Sequence, residues 1–246
     1  YMGGRLPLTT HLAERVRAIL ARPAGWGALP EQVREWLDIQ LWRSCLPEPD
    51  WLLVESFPRG NKQFMVAYCF EGRNAHQTLG MLLTKRMERA GLAPMGFVAT
   101  DYVIAVWSMK PVGNVATLFD EDMLGDDLEA WLNESTLMKA TFAKCAVISG
   151  MIERKRPGAE RKTGRQVSFS TDLIYDVLKQ YEPDHILMQA AFADAGEGYL
   201  DLKRLGALLA RIKDAIIHRD RRVPIDLHPV ALFAFHGSAA GFQHVA

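Results

Sequence analysis

Net charge is the first thing this chain lacks. Its 29 lysines and arginines balance 29 aspartates and glutamates, and its pI is near 7.2. That argues against any electrostatic role for the molecule as a whole. Cysteine is scarce: Cys45, Cys69 and Cys145 are far apart, odd in number and without C-x-x-C spacing. A disulfide framework and a cysteine zinc site are both disfavoured, and a reducing, cytoplasmic setting is the simplest expectation. No apolar run approaches the ~20 residues of a membrane span, and no signal-peptide pattern opens the chain. No two of the seven histidines stand at i, i+3 or i+4, so no metal site is expected. The chain has no G-x-x-x-x-G-K-[ST] string and no G-x-G-x-x-G fingerprint, so a nucleoside-triphosphate or dinucleotide cradle of its own is absent. Ser149-Gly150 ends a helical run and is not the strand-to-helix turn a nucleophilic serine needs. No catalytic residue emerges, which leaves an independent hydrolase as the weakest reading.

What is present is an ordinary globular composition, 49% hydrophobic and 24% charged over 246 residues, long enough to bury a sizeable core. Thr9 or Thr10 caps a helix whose Leu12, Val16, Ile19 and Leu20 keep a helical period, and Pro23 and Gly25 end it. Pro30 opens a second helix to about residue 43, with Val33, Trp36, Leu37 and Gln40 on one face. Residues 51–57 and 63–70 read as strands around a five-residue turn at 58–62. A helix over 74–90 turns Leu79, Leu82, Leu83 and Met87 inward. Residues 96–109 form a further strand region, as two short strands meeting near Thr100-Asp101. Beyond Pro111 the pattern turns helical: 120–132, 135–154, a helix capped by Ser170 through 181, one started by Pro183 through 195, and one long stripe over 201–219. The expected class is α+β, a small antiparallel sheet or partial barrel packed with helices and followed by a mostly helical half. The expected domains are an α+β subdomain at 1–115, a helical subdomain at 116–222 and a tail at 223–246.

Local charge is where function is most legible. Residues 153–166 carry Arg154, Lys155, Arg156, Arg161, Lys162 and Arg165 against two glutamates, broken by Pro157, Gly158 and Gly164. A positive excess on a loop suits a polyanion, because affinity for phosphates comes largely from counterion release by Lys and Arg; the bland alternative is a solvated loop. Arg59, Asn61 and Lys62 mark a hairpin tip. Glu71, Arg73 and His76 mark a strand-to-helix handover, where Arg73 and the helix N-terminus would hold an anion together or Glu71 and Arg73 would form a structural ion pair. Glu182 and Asp184 read as dipole and capping residues. Tyr102 and Trp107 read as core, whereas Trp26, beside a Gly/Pro loop, reads as exposed. On these grounds the chain is a binding module more than an enzyme.

The strings at 1–9 (Tyr-Met-Gly-Gly-Arg-Leu-Pro-Leu-Thr), 57–61 (Phe-Pro-Arg-Gly-Asn), 70–80 (Phe-Glu-Gly-Arg-Asn-Ala-His-Gln-Thr-Leu-Gly), 164–178 (opening Gly-Arg-Gln-Val-Ser-Phe-Ser) and 181–185 (Tyr-Glu-Pro-Asp-His) together resemble one family. It is the C-terminal, DEAD/H-associated region of bacterial ligase-associated DEXH-box helicases, relatives of the Lhr helicases, and the resemblance runs from Tyr1 to about Arg219. It implies an accessory domain of an ATP-dependent 3′-to-5′ DNA helicase in DNA repair, with two RecA-like motors and a winged helix upstream. ATP and Mg would act in those motors, with no cofactor in this chain. The implied partners are single-stranded DNA or a DNA–RNA duplex, the motor and winged-helix domains, and ligase-associated repair proteins, in a bacterial cytoplasm near the nucleoid and away from membranes. Tyr1, in a Tyr-x-Gly string similar to the family's W/Y-x-G motif, would stack on a base. Arg165-Gln166 matches the family's G-R-Q, and Phe70–Arg73 its F-E-G-R. The expected DNA contacts are Tyr1, Arg59, Lys62, Arg73, Arg154, Lys155, Arg156, Arg161, Lys162, Arg165 and Gln166. The alternative is a protein-interaction module that docks on the motors or a repair partner without touching DNA. The chain departs from the family pattern over 223–246.

Overall fold

The computed structural model describes residues 8–46, 49–152, 164–198, 200–212, 215–220 and 243–244. The chain divides into two compact units, one formed by residues 1–127 with 202–246, the other by 128–201. Each is described separately.

The first unit is built on one sheet with strand order β5-β1-β2-β4-β3-β6. Strands β1 (Leu52–Arg59) and β2 (Lys62–Ala67) form an antiparallel hairpin, and β4 (Ile104–Ser108) joins β2 to β3 (Pro94–Ala99) in the same sense. The short β6 (Gln243–His244) lies against β3, and β5 (Ile216–Asp220) adds to β1 in parallel. The sheet is therefore open and mixed, where a small antiparallel sheet or partial barrel is the sequence expectation; the α+β class itself holds. The difference arises at 201–219. A single helix is expected there, but helix α8 (Leu202–Ile212) stops and the β-branched pair Ile216-Ile217 enters the sheet, with Leu52 donating its N–H to the Ala215 carbonyl at 2.8 Å. Branched side chains fit a pleated, buried strand better than a helix surface.

Both faces of the sheet are covered, which is why β1 and β4 are buried at almost every position instead of alternating. One face carries Leu53, Phe57, Phe64, Val66, Tyr68, Ala105 and Trp107. It packs with Leu20 from α1 (Thr10–Leu20), Leu37 from α2 (Glu31–Arg43) and Trp26 from the 3-10 turn Pro23–Ala28. Trp26 is 5% exposed and its indole N–H reaches the Ile19 carbonyl at 2.8 Å, so it is a core residue and not the exposed aromatic its Gly/Pro loop implies. Helix α3 (Arg73–Arg89) buries Ala75, Leu79, Leu82, Leu83 and Met87 and packs on β3 and β4. Residues 116–127 belong with it because Arg86 binds Asp127 Oδ2 through Nε at 2.5 Å, the Thr117 carbonyl at 2.8 Å, and Asp122, while Arg89 pairs with Asp127. These contacts join residues 116–127 to α3, and α8 belongs to the same unit.

The second unit contains α5 (Leu137–Ile148), α6 (Gly164–Tyr181), α7 (Ile186–Gly198) and the end of α4 (Asp126–Glu134). Its centre is Phe142, which meets Tyr175 edge-on at 5.5 Å, with Ala146, Ala191 and Ala195 fully or nearly fully buried. Ser170 lies inside α6 and so is not its cap. Pro183 precedes a turn, so α7 starts at Ile186, where the His185 ring accepts the Leu187 N–H through Nδ1 at 3.2 Å. No described helix is long and apolar enough to cross a membrane.

Candidate nucleic-acid interface

The turn Phe70-Glu71-Gly72 links β2 to α3 through two residues in the left-handed region, Phe70 at φ 55° and Gly72 at φ 93°. Glycine is required at the second. Beyond its φ, a Cβ there would stand 2.9 Å from Arg204 Nη1 and 3.2 Å from the Leu8 carbonyl oxygen. The turn delivers the Glu71 carboxylate, 5% exposed, to three guanidiniums. Arg17 from α1 binds it at 2.6 Å, Arg211 from α8 at 2.9 Å, and Arg204 lies 3.8 Å away. The same arginines also donate to backbone carbonyls: Arg17 to Phe70 at 3.3 Å, Arg204 to Leu8 at 2.6 Å and Arg211 to Pro49 at 2.8 Å. Burial lowers the Arg17 pKa from its ordinary value, the Glu71 charge opposes that shift, and the neighbouring arginines add to it. The hub ties α1, α8 and the β2–α3 turn together; its job is architectural.

His76 completes the turn from below. The Glu71 N–H donates to its Nε2 at 3.1 Å, so Nδ1 carries the proton and donates to the Thr100 carbonyl at 2.6 Å. Full burial pushes its pKa down to about 4 against the opposing pull of that carbonyl and Asp101, and the ring is neutral at pH 7. Cys69 is likewise buried, its thiol pushed up to about 12 by desolvation, so it is an inert packing residue. Arg73 does not pair with Glu71, as the ion-pair reading of this turn would have it. Its backbone N–H donates to Asp101 Oδ1 at 3.1 Å, and its Nε is buried. The carboxylate of Asp101 already occupies the α3 N-terminus that an anion would need.

At the other end of β2, the turn shrinks from the expected five residues to Gly60-Asn61, with Gly60 at φ 62°. This brings Arg59 and Lys62 directly opposite one another as the last pair of the hairpin, Arg59 exposed and Lys62 half-buried. Two cations side by side at an exposed tip are chemically suited to an anionic partner. The six residues of β2 separate this tip from the α3 end by about 20 Å. Arg59 and Lys62 therefore form one patch and Arg73 does not join it. Tyr1 and the cations Arg154, Lys155, Arg156, Arg161 and Lys162 lie outside the described residues, and Arg165 and Gln166 are described only as part of the first turn of α6. Among aromatics, Trp107 is core, but Tyr102 is 45% exposed and Trp42, at the end of α2, 75%. The helical period that turns Leu37 and Gln40 inward places Trp42 on the opposite side of α2. Among the described residues no three His, Cys, Asp or Glu side chains are grouped to hold a metal. Ser56 Oγ and His218 Nε2 lie 2.6 Å apart, but Ser56 is buried in mid-strand, so the pair is a cross-strand link between β1 and β5 and not an exposed nucleophile.

Comparison with known proteins fits this architecture. Residues 46–225 match the family model described as DEAD/H associated. Over 178 residues, 71% of this chain, the sequence is 22% identical to the ATP-dependent helicase Lhr-Core protein 2 of Thermococcus barophilus, of which the match covers 20%. The fold is similar to part of the Mycobacterium smegmatis helicase Lhr bound to ssDNA and AMP-PNP, with a TM-score of 0.66 at 20% identity, over 94% of this chain and 32% of that one. The chain thus spans between a fifth and a third of the length of these relatives. A family model that covers most of the chain, including the glycine turn, the hub glutamate and the hairpin, establishes that the chain belongs to the DEAD/H associated family as an Lhr-like helicase-associated region.

Proposed function

We propose that this chain is the accessory domain of an ATP-driven 3′-to-5′ helicase acting in DNA repair, and that it grips the single strand along which the motors track. The observation that carries the reading is the solved relative, which shares the fold over 94% of this chain and was captured on ssDNA with AMP-PNP. The facing pair Arg59 and Lys62 supports it as a phosphate contact, with Arg154, Lys155, Arg156, Arg161, Lys162 and Arg165 as a second group and Tyr1 as a base-stacking residue. Arg73, half-buried beside Asp101, contributes at most weakly. In this reading ATP and Mg act in RecA-like motors of the same polypeptide, next to a winged helix, and the chain contributes no catalysis of its own. The same reading extends to a DNA–RNA duplex as an alternative substrate, to ligase-associated repair proteins as partners, and to a bacterial cytoplasmic, nucleoid-associated location.

The test is anisotropy of a fluorescein-labelled 20-mer oligothymidine titrated with the full chain from 50 to 200 mM NaCl. Each phosphate neutralised contributes a slope of about −0.7 in log K against log [salt] on a single strand. Arg59→Gln/Lys62→Gln is expected to flatten the slope by about 1.4. An unchanged slope removes the hairpin tip from the interface, and wild-type binding without salt dependence ends the reading as a whole.

A further inference from the structure

Tyr102 is an exposed aromatic on a rigid mount. It lies in the turn between β3 and β4, which Thr100 closes: Thr100 Oγ1 accepts the Tyr102 N–H at 3.3 Å and the Val103 N–H at 3.1 Å. This turn is tied in its own right to the one that links β2 to α3. The Tyr102 carbonyl accepts the Phe70 N–H at 2.9 Å, and the Asp101 carbonyl accepts the Gly72 N–H at 3.0 Å. The rings of Phe70 and Tyr102 meet at 6.1 Å with their planes 58° apart. Phe70 is buried, whereas Tyr102 is 45% exposed. Phe70 takes this place at φ 55°, a conformation that is costly for a residue other than glycine and that clusters at ligand-holding sites. A strained, buried ring thus supports one that the core leaves open.

Charge around the exposed ring is divided. Arg17, Arg204 and Arg211 surround Glu71, and Arg73 opens α3, so four arginines meet these turns against two carboxylates, Glu71 and Asp101. The surplus is positive and attracts a polyanion to this end of the sheet. Immediately beside Tyr102 the sign reverses. Asp101 takes the Arg73 amide on Oδ1, and its Oδ2 makes no hydrogen bond among the described residues. A phosphate is repelled at that spot, whereas the amino and imino N–H groups of a nucleobase find an acceptor there.

We propose that Tyr102 is a base-stacking platform for single-stranded nucleic acid, with one base lying on its ring beside the Asp101 carboxylate. The mount is formed before the strand arrives, so little side-chain or backbone freedom is lost on stacking. The proposal rests on the single-strand reading above. It adds a base contact at the end of β2 opposite the hairpin tip, where the phosphate contacts of that reading do not reach.

The probes are a fluorescein-labelled 20-mer oligothymidine and a labelled 20-mer of abasic spacers, which keeps the phosphates and lacks the bases. Each is titrated with the full chain at 100 mM NaCl. Wild type is expected to bind the oligothymidine more tightly. Tyr102→Leu keeps an apolar side chain against Phe70 and is expected to weaken oligothymidine binding by about 5- to 150-fold, the range for one stacked base. It should leave abasic-strand binding and the salt slope unchanged. Tyr102→Phe retains the ring and should bind as wild type does, which separates lost stacking from a damaged turn. The proposal is overturned by equal binding of the two strands to wild type, or by unchanged oligothymidine binding in Tyr102→Leu. It is also overturned by an equal loss on both strands in that variant, or by Tyr102→Phe falling as far as Tyr102→Leu. In each of these cases the phosphate grip still stands, whereas failure of wild type to bind either strand removes the grip and the proposal together.

Discussion

The imidazole of His76 is neutral for a geometric reason: one ring nitrogen accepts the Glu71 amide and the other donates to the Thr100 carbonyl, in a site without water access. Protonation would break the first of these bonds and bury a charge. Because the folded pKa is about 4 and the unfolded value about 6.5, the unfolded chain binds the proton more readily across that interval. The contribution is complete above about pH 6.5 and is lost as pH falls towards 4, at about 1.4 kcal/mol per unit. Urea unfolding at pH 7.5 and 5.0 should therefore show a loss of about 2 kcal/mol that His76→Gln abolishes; an equal pH dependence in both proteins would mean that the ring titrates normally. The Glu71 hub has a comparable logic, since removing one partner of a buried ion cluster leaves the others uncompensated. Neither feature is visible in sequence. Phe70–Arg73 stands out as a motif, but spacing could not tell that Glu71 faces Arg17, Arg204 and Arg211, whose separations of 54, 133 and 140 residues only the tertiary fold closes.

At the scale of elements, glycine decides how closely helices approach their neighbours, and two of them predict opposite outcomes. A Cβ on Gly80, in the middle of α3, would overlap the ring of Phe97 on β3. Alanine gains about 1 kcal/mol in helix propensity there, but forcing a methyl into a packed contact costs about 1–3 kcal/mol. The clash wins, and Gly80→Ala should lower stability by about 1 kcal/mol. Gly206 in α8 has only Leu124 Cδ1 at 3.5 Å, an ordinary contact, so Gly206→Ala should gain close to 1 kcal/mol. Paired melts check both signs, and a destabilised Gly206→Ala would show that α8 sits closer to the turn at 121–124 than the structure has it. The elements that sequence makes legible are those with local signals: Thr9 accepts the Leu12 N–H as cap of α1, the hairpin forms where the breakers cluster, and α3 starts beside Gly72. The return of β5 to β1 is illegible because Ile212 and Ile216 keep a helical spacing through the break, and a parallel pairing between residues 52 and 216 leaves no local trace. Ser170 misleads for the converse reason. A serine is a good cap, but the apolar period of α6 extends upstream of it to Gly164.

For the whole molecule, a net charge of zero means that any affinity for a polyanion is a local property, and two local concentrations compete for it. The hairpin tip offers two cations on a rigid ladder; residues 153–166 offer six between α5 and α6. Number favours the second, because counterion release scales with phosphates neutralised. The two are separable by slope. Arg161→Gln/Lys162→Gln/Arg165→Gln should flatten the salt dependence of oligothymidine binding by about 2 if all three touch phosphates. Combining it with Arg59→Gln/Lys62→Gln should flatten it by about 3.5 if one bound strand engages both groups. A combined effect no larger than the triple substitution alone would assign the strand to the 153–166 segment and leave the hairpin tip for another anionic partner. An unchanged slope in the triple variant would return that segment to the solvated loop its composition also fits. In that case the six cations would serve solubility, and the facing pair Arg59 and Lys62 would carry the electrostatic part of the grip.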